Sequence, residues 1–236
     1  LRKAIDNDEL ALHFQAKFSS KSGKITGMEA LLRWTHSEHG FIPPDEFIPI
    51  AEQTGVINPL TKWVIDKALS QLSELREMGY ELFVAVNISA INLKERHFSR
   101  VVQEALQKYN IPPKLLTLEV TETAMMDDPA RALLALKELN SLGVRLSIDD
   151  FGTGYSSLAY IKQLPVQEIK IDRSFVMEMD NHGNDAIIVK TTINMCHDLG
   201  YEVVAEGVET AQTCETLSLM GCDYLQGYHL SRPLAF

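Results

Sequence analysis

Short apolar runs that each end on, or carry, a chemically capable polar side chain recur through this sequence. That recurrence limits the possible fold more than any other property. The runs are Ile25–Leu31 around Glu29, Leu82–Asn87, Leu115–Glu119, Val144–Asp149 with Asp150 beside it, Glu168–Ile171 around Lys170, and Val203–Glu206. Repeated strand-like runs of this kind describe a parallel barrel, in which the C-terminal strand ends collect at one mouth and carry the chemistry. Five carboxylates and one amide meeting at such a mouth repel each other unless cations sit among them. A metal site is therefore the first expectation.

The remaining pattern supports alternation of strand and helix. Leu10–Phe18 and Lys24–Trp34 both alternate, and only Ser19-Ser20-Lys21-Ser22-Gly23 separates them, too short for a crossover helix. The first two strands are thus expected to pair antiparallel. Pro43-Pro44-Asp45-Glu46 opens a helix with proline and acid in its first turn. Leu60–Met78 carries apolar residues at helical spacing and closes at Gly79. Strands then follow at 82–87, 115–120, 144–149, 167–171, 202–206 and 223–227. Helices are expected at about 92–109, 129–142, near 156–163, 185–199 and 210–220. The fold class is α/β, a (β/α)8 barrel of TIM type modified at its first two strands. Residues 10–236 form one domain, and the charged amphipathic stretch Leu1–Glu9 reads as a lead-in from a removed upstream domain. On period-two bookkeeping Glu29, Asn87, Glu119, Asp149, Lys170 and Glu206 share the inward face, provided no strand slips register by one.

Composition narrows the partners. The net charge of −10 and the absence of a Lys/Arg-rich run argue against DNA or RNA, whose binding rests on phosphate neutralisation. A small phosphate ester is still allowed if divalent cations mediate the contact. The three cysteines form no CxxC pair and read as small buried hydrophobes in a reducing compartment. No apolar stretch approaches about 18 residues and no signal-peptide pattern opens the chain. The expectation is a cytoplasmic domain with no membrane contact of its own, in a parent protein that an inner-membrane anchor would suit equally.

Met28-Glu29-Ala30-Leu31-Leu32-Arg33-Trp34 resembles the motif that names the EAL domains, the cyclic di-GMP phosphodiesterases. The resemblance runs from Phe14-Gln15 to Ser231-Arg232-Pro233. It takes in Val86-Asn87-Ile88-Ser89, Leu118-Glu119-Val120-Thr121-Glu122, Asp149-Asp150-Phe151-Gly152-Thr153-Gly154, Lys170-Ile171-Asp172-Arg173, Ala205-Glu206-Gly207-Val208-Glu209 and Gln226-Gly227-Tyr228. It implies that Glu29, Asn87, Glu119 and Asp149 hold one divalent cation, and that Asp149 and Asp150 bridge to and hold a second, with Glu206 contacting that ion or its water. Two Mg²⁺ or Mn²⁺ ions per site suit these hard oxygen donors, and Ca²⁺ is expected to inhibit. Glu29, Lys170 and Glu206 are then the catalytic set. Lys170 is similar to the lysine that binds the attacking water or acts as general base. A base role needs its pKa of about 10.4 lowered by adjacent cations, so positioning and electrostatic stabilisation are favoured. Arg33 matches the phosphate-binding arginine, and Gln15, Leu31, Asp172, Glu209, Gln226 and Tyr228 match the substrate-binding surface. Glu122 is implied to anchor the loop from Asp149 to Ser157. The resemblance further implies cyclic di-GMP as ligand, a homodimer, and sensory or GGDEF-type domains upstream.

Plainer readings stand beside these. Asp149 and Asp150 could cap a helix, Asn87 could do the same, Glu29 and Glu119 could end in surface ion pairs, and Glu122 could be a solvated helix-start acid. None explains why the polar residues share strand-end positions. Gly152-Thr153-Gly154 lacks the third glycine of a dinucleotide fingerprint, and His197-Asp198 lies mid-helix without partner histidines. The chain departs from the family at Gln15-Ala16, where proline often follows the glutamine. The reading is a metal-dependent phosphodiesterase that opens cyclic di-GMP to pGpG. Its rival is a catalytically weak cyclic di-GMP receptor, a class that characteristically loses the metal ligands.

Overall fold

The computed structural model describes residues 1–7, 9–154, 158–179 and 183–236. Among the described residues ten strands form one sheet: β1 (Leu10–Ser19), β2 (Ile25–His36), β3 (Gly40–Ile42), β4 (Phe83–Asn87), β5 (Leu116–Thr121), β6 (Arg145–Phe151), β7 (Glu168–Ile171), β8 (Glu202–Ala205), β9 (Tyr224–Leu225) and β10 (Leu234–Ala235). Their order is β10-β1-β9-β8-β7-β6-β5-β4-β2-β3, and β1 also pairs with β2, so eight strands close into a barrel. β1 runs antiparallel to both of its barrel neighbours, and all other barrel pairs are parallel. The reversed first strand follows from the short 19–23 turn. The edge strands β3 and β10 were not foreseen; each is too short to show alternation.

Alternation along the strands sorts residues by chemistry. Val84, Val86, Leu116, Leu118, Leu146, Ile148, Ile169 and Val203 point outward into a continuous apolar layer under the helices. The opposite face of the same strands carries Thr117, Glu119, Ser147, Asp149, Glu168 and Lys170, all buried inside the barrel. Barrels of this type usually fill their interior with branched aliphatic side chains. Here the apolar core lies in the shell instead, and the centre is polar and charged.

The helices follow their local signals. Ile57–Glu77 buries Leu60, Val64, Ala68 and Leu72 on one stripe and ends before Gly79, whose φ of +90° suits glycine. The helix expected at 92–109 is broken in two, Ala90–Lys94 and Phe98–Lys108, because Glu95 takes extended dihedrals. A capping box at Ser89 and Asn92 starts the first piece early. Short helices Glu122–Met126 and Arg173–Met177 follow β5 and β7, below the length that periodicity can detect. The helix expected near 156–163 is described only over Leu158–Ile161, and 155–157 lie outside the described residues. The segment Arg2–Asp6 is helical, and Ala4 packs with Trp34, Phe47 and Leu60 in a second apolar cluster. Among the described residues no helix is long and apolar enough to cross a membrane.

Candidate active site

The mouth of the barrel gathers the strand-end residues. Lys170, fully buried on β7, is central: its Nζ lies 2.7 Å from Glu206 Oε1, 2.9 Å from Glu119 Oε2, 3.1 Å from Asp149 Oδ2 and 3.3 Å from Glu29 Oε2. Asn87 Nδ2 donates to Glu29 Oε1 at 2.7 Å, and Gln226 Nε2 donates to Glu29 Oε2 at 2.7 Å. Four carboxylates therefore converge on one ammonium. Glu29, Glu119 and Asp149 present ligand atoms within 4.8 Å of one another, and so do Asp149, Asp150 and Glu206.

That second group needs a local break in the strand. Successive residues of a regular strand face opposite sides, so Asp149 and Asp150 cannot both point into the barrel. The β6–β7 register shifts between Ile148 and Phe151, and Asp150 has φ +53°, a left-handed conformation that aspartate tolerates better than most residues. The bulge brings both adjacent carboxylates to the mouth. Glu122 braces the segment that follows: its Oε2 accepts from Gly152 N at 3.0 Å and from Gly154 N at 3.3 Å. A Cβ on Gly154 would stand 2.8 Å from that carboxylate, so glycine alone permits the approach. Thr153 Oγ1 donates to the Asp150 carbonyl, not to Glu122. Ser156 lies outside the described residues.

Electrostatics follow from this crowding. Burial opposes the charge on Glu29, but Lys170 and the amides of Gln226 and Asn87 overcome it and hold the pKa down at about 2. Glu119 moves the other way: burial, with Glu29 and Asp149 beside it, pushes it well up despite Lys170 and Lys17. Burial and the same two carboxylates raise Glu206 to about 7 against Lys170. Asp150 is raised by burial, Asp149 and Asp172. Lys170 is itself raised against its burial by the four surrounding carboxylates. Three carboxyl groups raised in this way, Glu119, Glu206 and Asp150, mark a site short of positive charge.

The other expected residues fall into two groups. Gln15 and Gln226 are buried rather than displayed on an open surface: Gln226 Nε2 also reaches Gln15 Oε1 at 3.2 Å, and Gln15 Nε2 donates to the Ser231 carbonyl at 2.9 Å. Both amides thus stand behind Glu29. Leu31 and Arg33, with Asn87, line a cavity of about 810 Å³ that continues to Asp45, Glu52 and Thr121. That size suits a nucleotide-sized ligand. Asp172 caps the helix Arg173–Met177 through Ser174 N, Glu209 is exposed, and Tyr228 is exposed with the Arg232 guanidinium 4.7 Å over its ring. Sequence reasoning missed Lys17, which shares the interior with this cluster. Its alternation with Gln15 on β1 was the available signal.

A closed eight-stranded barrel with a reversed first strand, a charged centre and an acidic mouth is the architecture these observations define. The family profile described as EAL domain matches residues 1–233, and the chain belongs to that family. It is 44% identical over 234 residues to the signaling protein YkoW of Bacillus subtilis, covering 99% of this chain and 29% of that protein. It is 43% identical over 235 residues to the bifunctional diguanylate cyclase/cyclic di-GMP phosphodiesterase MucR of Pseudomonas aeruginosa, covering 99% and 34%. The chain therefore spans about a third of the curated relatives it matches. Among solved structures, the MucR phosphodiesterase in complex with c-di-GMP superposes with a TM-score of 0.95 at 42% identity, covering 99% of this chain and 95% of that one.

Proposed function

We propose that this domain hydrolyses cyclic di-GMP to linear pGpG with divalent cations at the barrel mouth. The observation that carries the reading is the convergence of Glu29, Glu119, Asp149 and Glu206 on Lys170, with Asp150 brought alongside by the bulge. The donor set fits hard cations. It is all oxygen, and Glu29, Glu119 and Asp149 bring ligand atoms within 4.8 Å of one another. Inside the barrel, six carboxylates (the five at the mouth and Glu168) face two ammonium groups, Lys17 and Lys170. With all six ionised, four negative charges would be uncompensated, which two divalent ions would balance.

Glu29, Asn87, Glu119 and Asp149 would hold one cation, and Asp149, Asp150 and Glu206 the other. Mg²⁺ or Mn²⁺ bound there would supply a nucleophilic water at neutral pH and Lewis acidity toward the phosphate. The water oxygen bonds to one phosphorus, the P–O3′ bond breaks, and a proton passes to the freed 3′ oxygen. Lys170 keeps its proton and orients the attacking water, Arg33 receives phosphate oxygens, and Leu31, Asp172, Glu209 and Tyr228 meet the guanine bases. Gln15 and Gln226 act from behind by fixing Glu29. The matches to about a third of YkoW and MucR support reading the domain as the output module of a longer signalling chain. Incubating the purified domain with cyclic di-GMP and Mn²⁺, then resolving the products by chromatography, tests the reading. Accumulation of pGpG is expected, and intact cyclic di-GMP after prolonged incubation would point to the receptor alternative.

A further inference from the structure

Beneath the mouth lies a second charged layer that the hydrolysis reading does not use. Lys17 on β1 and Glu168 on β7 are both fully buried, and Lys17 Nζ stands 2.9 Å from Glu168 Oε1. The same ammonium lies 3.5 Å from Glu119 Oε1, while Glu119 Oε2 contacts Lys170 at 2.9 Å. Phe83 closes the space below: Lys17 Nζ is 5.4 Å from its ring centroid, and the ring covers Gly27 so tightly that a Cβ there would meet it at 2.4 Å.

A buried ammonium needs a counter-ion, and Glu168 alone meets that need. The contact to Glu119 crosses from the lower layer to the mouth and is not required for it. It has a separate geometric effect. Two ammonium groups bracket one carboxylate, Lys17 facing one oxygen from the floor side and Lys170 facing the other at the mouth. The terminal torsion of a glutamate is otherwise broad. Bracketed in this way, Glu119 keeps Oε1 toward the floor and Oε2 toward the mouth.

We propose that Lys17 is a positioning residue for the metal site: by holding Glu119 Oε1 it determines which carboxylate oxygen meets a cation, and Glu168 keeps Lys17 in place. This rests on the reading of Glu119 as a cation ligand. The orientation of ligating groups by an outer layer is worth about 10–100-fold in metal affinity in sites where it has been measured.

Two variants separate positioning from simple charge balance. Lys17→Met removes the ammonium at similar length but strands Glu168, whereas Lys17→Met/Glu168→Leu removes both charges. Mn²⁺ binding is measured by titration calorimetry without nucleotide, beside thermal unfolding of each protein in chelator. The expected result is Mn²⁺ affinity about ten-fold or more below wild type in both variants, with thermal stability recovered in the double variant. KM for cyclic di-GMP at saturating Mn²⁺ should move by no more than about two-fold, since Lys17 acts on the ligand oxygen and not on the nucleotide. A folded double variant with wild-type Mn²⁺ affinity would show that Lys17 only neutralises Glu168, overturning the proposal. If Lys17→Met does not fold, the Mn²⁺ affinity of the double variant decides between the two roles. A wild-type domain that binds no Mn²⁺ overturns the site reading as well. A wild type that binds it only as tightly as the double variant overturns the Lys17 role alone.

Discussion

The mouth and the floor of this barrel are built from the same residue types and differ in how they are matched. At the floor, charges pair off: Lys17 with Glu168, and Arg145 with Glu202, which also accepts from Tyr224 Oη at 3.2 Å. At the mouth, one lysine serves four carboxylates. Burial raises Glu119 and Glu206, whereas Glu168, as buried as Glu119, is lowered because Lys17 and Arg145 outweigh its desolvation. In the lower layer each of these carboxylates has its own cation, whereas in the upper layer four share one. An unbalanced cluster directly above a balanced one is the contrast on which the proposed cation site rests.

Four measurements test that contrast. The largest effect is expected from chelation: excess EDTA should abolish pGpG formation, and Mg²⁺ or Mn²⁺ should restore it. Ca²⁺, with its laxer geometry, should occupy the site and support little turnover. Full activity in chelator would remove the basis for the two-cation site. Next, Lys170→Ala should lower turnover by about 100-fold or more, as Glu29→Ala should, while Lys170→Ala still binds cyclic di-GMP in Ca²⁺. A wild-type rate in Lys170→Ala would remove that residue from the attacking water.

The third test sets one carboxylate of each layer against the other. Glu168→Ala strands a buried lysine and should cost about 3–5 kcal/mol by equilibrium denaturation. Glu206→Gln relieves crowding and should stabilise the chelated domain, by on the order of 1 kcal/mol at pH 8. The sign follows from linkage. The folded pKa of Glu206 is raised from 4.5 to about 7, so its contribution is fully present below pH 4.5 and is lost as pH rises through 7. Glu206→Gln should flatten the stability profile across that window, and equal losses in both variants would erase the distinction between the layers. The smallest effect is expected at the loop. Glu122→Ala should keep the fold and lower activity about ten-fold at limiting Mg²⁺, recovering as Mg²⁺ saturates. A metal titration that overlays wild type would leave Glu122 a structural acid only.

Much of this was legible in the sequence because strand alternation has a fixed period. Glu29, Glu119, Asp149 and Lys170 could be placed on one face by counting in twos, and the short 19–23 turn announced the reversed first strand. Asp150 was placed at the mouth only as the neighbour of Asp149; its inward position depends on a bulge and a positive φ that no periodicity encodes. Lys17 escaped notice for a different reason. On an antiparallel strand depth runs the other way, so the residue two positions after Gln15 lies deeper in the barrel, beside Gly27. The substrate-binding role of Gln15 and Gln226 came from the family resemblance, and their burial and hydrogen bonds to one another and to Glu29 are contacts that alternation along a strand does not encode.

The reversed β1 also decides where the barrel is attached to anything ahead of it. Leu10 pairs with Trp34, beyond Glu29 on β2, so the chain enters at the rim of the mouth instead of at the floor. The helix Arg2–Asp6 is seated there through Ala4, in the apolar cluster that holds Trp34 and Phe47. A tether joined before residue 1 would pull on that rim, and the strain would reach β2 within a few residues of Glu29. Flipping one strand therefore puts the entry of the chain and Glu29 at the same end of the barrel.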